Sequence, residues 1–359
     1  MIAILEPRHG AILNRHDGSE QAAGLTVSVK GTCTGRDPVR VNGVLAQTTA
    51  GRFSASVCLR DRQTTLTATC GNEAAAVTVL YDQASYPRYR FSLDDNIWFL
   101  RDLAQKRYRS LFENPYLALW QRLHRTYGTK VHCNVYFQCE DFNLTQMPDA
   151  YKREWQDQAD WFRMTFHALQ NEPARPYLTA GFEQVAHDFD LVTDQIRRFA
   201  GDEVLDPFTT IHWGEATREG CRAVRDRGIR GLAGYFVFGQ DGAPTVSYYA
   251  DRELTQYMAG HDYCKDFSED LFFIRHDMVI NSFALPAIVP RLEATVADPH
   301  QGEILELMIH EQYFYPDYRA HLPDYAERCE AAVRWVTEKG YAPVFYGEGF
   351  LGNTRSRLG

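Results

Sequence analysis

Tyr89-Arg90-Phe91-Ser92-Leu93-Asp94-Asp95-Asn96, running into Ile97-Trp98-Phe99-Leu100, is the stretch on which the fold is decided. Its first part reads as a strand, Tyr89–Asp94, and its second as the start of a helix, Ile97–Tyr108. Side chains alternate across a regular strand, so neighbours such as Asp94 and Asp95 point to opposite sides unless the chain turns. Asn96 is a tolerable turn residue, and a turn there would bring both carboxylates to one pocket. Two carboxylates that close repel, and a cation beside them is the natural way to keep both ionised. The plain structural alternative is that Asp94 or Asp95 N-caps the helix that follows, a position Asp favours.

Outward from this point, strand and helix alternate. Candidate strands are Tyr89–Asp94, Lys130–Gln138, Arg163–His167, Phe208–Trp213, Gly231–Phe238, Leu271–Ile280, Ile304–His310 and Ala342–Tyr346. Helical stretches between them include Ile97–Tyr108, Gln156–Trp161, Phe182–Ala200, Glu215–Arg227, Leu285–Ala297 and Pro323–Glu338. Alternation on this scale predicts a (β/α) barrel of 7–8 parallel strands over residues 86–359, with its active site where strands end. Four strand ends carry a residue able to bind metal or move a proton: Asp94-Asp95, His167, His212 and His310.

Upstream the texture differs. From Ala22 to Tyr81 short Val/Thr/Leu runs alternate with period two, and Val41-Asn42-Gly43-Val44 suits a type I′ hairpin. All but two of the 21 Phe, 20 Tyr and 6 Trp lie after residue 84, the exceptions being Phe53 and Tyr81. Residues 1–85 are therefore expected to form a separate all-β sandwich, with the chemistry on the far side of the boundary. This segment's Pro7-x-x-Gly10 opening, Val27-x-Val29-x-Gly31 strand and Val39-x-Val41-Asn42-Gly43 hairpin resemble bacterial immunoglobulin-like domains.

Composition excludes several partners. A net charge of −9 leaves no footprint for a phosphate backbone, so nucleic acid is not expected. The most apolar stretch, Met278 to Pro290, is broken by Asn281, Ser282 and Pro286 and falls short of a membrane span. Glu6, Arg8 and His9 interrupt what a secretory signal would keep apolar, which predicts a cytoplasmic location. Eight cysteines without a CxxC pair then read as small buried hydrophobes.

The order of the pieces after residue 87 resembles the polysaccharide deacetylase (NodB-homology) superfamily, metal-dependent hydrolases on a deformed (β/α) barrel. Its Thr-Phe-Asp-Asp-Gly motif is similar to Ser92-Leu93-Asp94-Asp95-Asn96, which implies Asp94 as catalytic base and Asp95 as metal ligand. Its His-Ser/Thr-x-x-His motif is similar to His167-Ala168-Leu169-Gln170-Asn171, which implies His167 as a ligand and puts a neutral amide, Asn171, where a second histidine belongs. Asn171 is a poorer ligand than imidazole for a borderline-soft metal, and His212 is the best substitute. Its Leu-x-His motif is similar to Met308-Ile309-His310, which implies His310 as general acid. Its arginine-bearing third motif falls at Thr210–Glu215, where no arginine stands, and its supporting Asp corresponds to Asp277.

The resemblance thus implies a divalent ion, zinc by preference, held by Asp95, His167 and either Asn171 or His212, in an enzyme that removes N-acetyl groups from a saccharide. Trp213 and Tyr313, with Glu215 and Glu311, are the expected substrate-binding residues. Glu311 or Asp277 would hold the His310 imidazole in its tautomer. Two other readings remain open: a glycoside hydrolase using a carboxylate pair such as Glu215 and Glu311, or a sugar-binding barrel without turnover.

Overall fold

The computed structural model describes residues 1–349 and Leu351; Phe350 and residues 352–359, the end of the expected barrel segment, lie outside the described residues. The chain divides into two units, one built mainly from Met1–Tyr86 and one from Pro87–Asp262 with Glu269–Gly347.

In the first unit, period-two sequences give two mainly antiparallel sheets. One runs in the order Ile2–Glu6, Gly24–Cys33, Arg52–Leu59, Gln47–Thr49, and the other joins Glu73–Tyr81, Gln63–Cys70, Val39–Val41 and Val44–Leu45. Alternate residues such as Leu25, Val27 and Val29 are buried, and so are Leu66, Ala68 and Val79. The Asn42-Gly43 hairpin has φ of 45° and 83°, both positive as a type I′ turn requires.

The second unit is a ring of parallel strands: β1 (Arg88–Asn96), β2 (Val131–Tyr136), β3 (Phe162–Ala168), β4 (Phe208–Thr209), β5 (Gly231–Gly234), β6 (Leu271–Arg275), β7 (Met278–Val279) and β8 (Ile304–His310). One arc is β3-β2-β1-β8-β7 and the other β4-β5-β6. β7 continues the line of β6 and pairs with β8, which joins the arcs on one side. Between β3 and β4 the ladder is broken, and Thr209 Oγ1 donates instead to the Phe166 carbonyl. The barrel is deformed at that break.

Alternation sorts β1, β2 and β3 into an outer apolar row and an inner polar one. On β1, Tyr89, Phe91 and Leu93 are fully buried on the outer side, where Phe91 meets Trp120 with ring centroids 4.9 Å apart. Arg90, Ser92 and Asp94 face inward. Arg90 donates to Glu306 of β8 at 3.1 Å, and the Tyr346 hydroxyl donates to the second Glu306 oxygen at 2.7 Å. Above that pair, Asn134 Nδ2 donates to Ser92 and to Asp94 at 2.9 and 2.6 Å, while its oxygen accepts from Thr210 N. A buried polar interior is stable only when its groups are paired in this way.

Several expected elements shift for identifiable reasons. Helix Pro115–Tyr127 does not figure among the expected helices, although Asn114 caps it through Tyr116 N and Leu117 N and Pro115 sits in its first turn. Instead of a helix over Gln156–Trp161 there is a short one, Lys152–Gln156. The strand expected over Phe208–Trp213 stops at Thr209, and a left-handed Trp213, φ 66°, turns the chain soon after. Neither Asp94 nor Asp95 caps the helix after β1. Its cap comes from the end of the neighbouring strand β8, where both carboxylate oxygens of buried Glu311 accept from Ile97 N, Trp98 N and Phe99 N at 2.7, 2.9 and 2.6 Å.

Burial pushes the Glu311 carboxyl up to about 7, opposed by those three backbone donors. The folded chain therefore holds a proton there that the unfolded chain has released, and stability falls as pH rises from about 4.5 through about 7. Glu311→Gln should flatten this fall. Urea midpoints at about pH 5 and about pH 8 should differ less in the variant than in the wild type, and equal differences would acquit the carboxyl.

Candidate metal centre

The last two residues of β1 before Asn96 bring two carboxylates into one cavity through a local break in the strand. Asp94 lies opposite His310 in the β1–β8 ladder, so base and acid candidates sit on adjacent strands. The β1–β2 ladder shifts register between Leu93 and Asn96, and Asp95 takes a left-handed conformation, φ 62°. The turn falls at Asp95 itself rather than at Asn96, as one extra residue in a strand re-aims a side chain. Asn96 holds the turn, its amide donating to the Leu93 and Asn134 carbonyls.

Asp95 Oδ1 lies 3.0 Å from His167 Nε2 and 3.3 Å from His212 Nδ1, and these two nitrogens are 3.2 Å apart. All three residues are buried. Zinc with bonds of about 2.0–2.1 Å separates tetrahedral ligands by roughly 3.3 Å, so the spacing fits a single ion. His167 Nδ1 donates to the Thr210 carbonyl at 2.5 Å, which orients the ring so that Nε2 is the nitrogen facing Asp95. Burial would raise the Asp95 pKa, but the hydrogen bonds from His167 and His212 hold it well below the usual carboxylate value. Burial likewise opposes charge on His167, and the Asp95 bond outweighs it to raise that imidazole.

Asn171 lines the same cavity, its oxygen 3.3 Å from the Tyr136 hydroxyl, while His212 joins Asp95 and His167 in a group of His and carboxylate donors close enough for one ion. Asp94, Asp95, His167, Asn171, His212, Trp213, Tyr313 and His310 all line one cavity of about 450 Å³. Trp213, 48% exposed, stands on its wall. A second cavity of about 940 Å³ shares Asp95 and Asn171 with the first.

Three expected residues are placed elsewhere. Glu215 is buried and bound to Arg175 Nε at 2.6 Å, Thr245 Oγ1 at 3.0 Å and Val246 N at 2.9 Å, so it pins two loops and does not line the cavity. Glu311 is committed to the helix start, which removes the carboxylate pair of the glycoside hydrolase reading. Asp277 pairs with Arg275 and accepts from Glu306 N at 2.8 Å. His310 is held instead by Asn281, whose Oδ1 accepts from its Nδ1 at 2.9 Å, turning Nε2 the other way.

Three residues of the centre have no counterpart in the motifs, Tyr136, Asn134 and Asn281, and His276 enters them only as the neighbour of Asp277. Burial pushes His276 down to about 4, with Asp94 pulling the other way, so a neutral imidazole lines the cavity beside Asp94. The period-two placing of His132, Asn134 and Tyr136 within a strand was the available signal for two of them.

No protein-family model matches the chain, and no curated protein matches it. Solved structures do show likeness. The Xyl-CE4 domain of a multidomain xylanase from the hindgut metagenome of Trinervitermes trinervoides is 10% identical, with a TM-score of 0.37 over 76% of this chain and 95% of that one. A family 4 acetyl xylan esterase from Clostridium thermocellum, in complex with a cobalt ion, is 12% identical, with a TM-score of 0.36 over 71% and 86%. A 4-alpha-glucanotransferase from Thermococcus litoralis is 11% identical, with a TM-score of 0.47 over 76% of this chain and 43% of that one. At these scores the chemistry is left to the centre itself.

Loss of an outer partner of a metal ligand costs roughly 10–100-fold in affinity. His212→Ala should weaken Zn²⁺ binding by more than that, and Asn171→Ala by less, in competition with a chromophoric chelator. The reverse order would make Asn171 the ligand.

Proposed function

We propose that this chain is a metal-dependent hydrolase that removes acetyl groups from an N-acetylated saccharide, with Asp95, His167 and His212 holding a divalent ion, zinc by preference. The observation that carries the reading is the three-donor cluster, with the second nitrogen of His167 already committed to Thr210, beside Asp94 and His310 in one cavity. The sequence patterns alone support a cytoplasmic location and an immunoglobulin-like domain in residues 1–85.

When bound, the ion would supply polarisation of the acyl carbonyl and a more acidic water. Asp94 accepts the proton of the attacking water. Its Oδ1 is fixed by Ser92 and Asn134, so the carboxylate is oriented without a neighbouring arginine. Protonated His310 gives a proton to the departing amine from Nε2, since Asn281 holds Nδ1. Trp213 and Tyr313 offer faces on which a sugar ring can stack.

Acetate release from N-acetylated chito-oligosaccharides, read together with elemental analysis of protein purified without chelator, tests this. Asp95→Ala should lose ion and activity together. Asp94→Asn should keep the ion and lower turnover by about 10²–10⁴-fold. A metal-free protein whose activity survives Asp95→Ala would sink the proposal; bound metal with no acetate released from any acetylated sugar would leave a sugar-binding barrel.

A further inference from the structure

Four successive strands bring one polar atom each to the same point: Asp95 on β1, Tyr136 at the end of β2, His167 on β3 and His212 just beyond β4. Three of these atoms are the donors described above. The fourth, the Tyr136 hydroxyl, lies 2.5 Å from Asp95 Oδ1, 2.9 Å from His212 Nδ1 and 3.3 Å from Asn171 Oδ1. The residue is buried, and its ring centroid is 5.2 Å from each of the two imidazoles. A phenol has one proton and can satisfy one acceptor. With that proton given to Asp95, the oxygen's lone pairs remain among His212 and Asn171.

We propose that Tyr136 Oη is the fourth protein donor of the ion site, making the set two imidazoles, one carboxylate and one phenol oxygen. The proposal rests on the metal-site reading above. On binding, the O–H bond breaks, its proton passes to solvent, and an oxygen lone pair forms the bond to the ion, with no change in oxidation state. The Tyr136 contacts, 2.5 Å to Asp95 Oδ1 and 2.9 Å to His212 Nδ1, are as close as those within the trio, so the phenol oxygen belongs to the same cluster of donor atoms. A second oxygen donor makes the set harder than three ligands alone and favours ions that accept five or six ligands.

Titrating the apoprotein with Cu²⁺ tests the assignment, because a phenolate ligand gives a charge-transfer band in the visible that an unligated phenol cannot. The wild type should show the band, and Tyr136→Phe, which removes only the hydroxyl, should lose it. The same variant should bind Zn²⁺ about 10–100-fold more weakly, with a thermal melt verifying that it folds. His167→Ala should also lose the band, which assigns it to this centre. Copper bound by the wild type without the band, or a band that survives in Tyr136→Phe, overturns the proposal and leaves Tyr136 as a hydrogen-bond donor to Asp95. Wild-type protein that binds neither ion overturns the metal-site reading itself.

Discussion

Strict alternation along β1 would put Asp94 and Asp95 on opposite faces of the sheet, and the whole centre depends on one violation of it. The left-handed turn at Asp95 costs local strain that Asp tolerates better than most residues. Its return is that a proton acceptor and a metal ligand, adjacent in the chain, share a cavity. The surrounding groups fit themselves to this break. Asn96 bonds the Leu93 carbonyl before it and the Asn134 carbonyl of β2, Asn134 orients one carboxylate, and two imidazoles face the other.

The interior of the ring explains why that arrangement holds its shape. Side chains pointing inward are polar at three successive levels of β1, from Arg90 through Ser92 to Asp94. Each level is tied to its neighbours by hydrogen bonds rather than by apolar contact. Such an interior gains little net stability from its bonds but loses heavily if one partner is removed. The apolar outer row, packed against aromatic side chains such as Trp120, supplies the burial that folds the barrel.

Much of this was legible in the sequence where chemistry is local. The Asp94-Asp95 pair, His167 and His310 stand at strand ends, with His212 just beyond another, and strand ends meet at one mouth of a parallel ring. That His212 comes within reach of Asp95 and His167 needed coordinates, since it depends on how the chain turns after Thr209. Glu215 and Glu311 misled because a buried carboxylate and a cavity carboxylate look alike in a sequence. Their partners, Arg175 for one and three backbone amides for the other, lie 40 or more than 200 residues away. Helix Pro115–Tyr127 had its Asn-Pro start in plain view, while Tyr136 could be found only by following the inward face of β2.

Glu311 immediately follows His310, and the amides it grips belong to the helix that leaves directly after Asp95 and Asn96. The proton donor and the two carboxylates are thus mounted on one short mechanical frame, closed by a carboxylate instead of a covalent bond. Thermal motion of either strand end carries the other with it, so the distance across the reacting centre is buffered against breathing of the barrel as a whole.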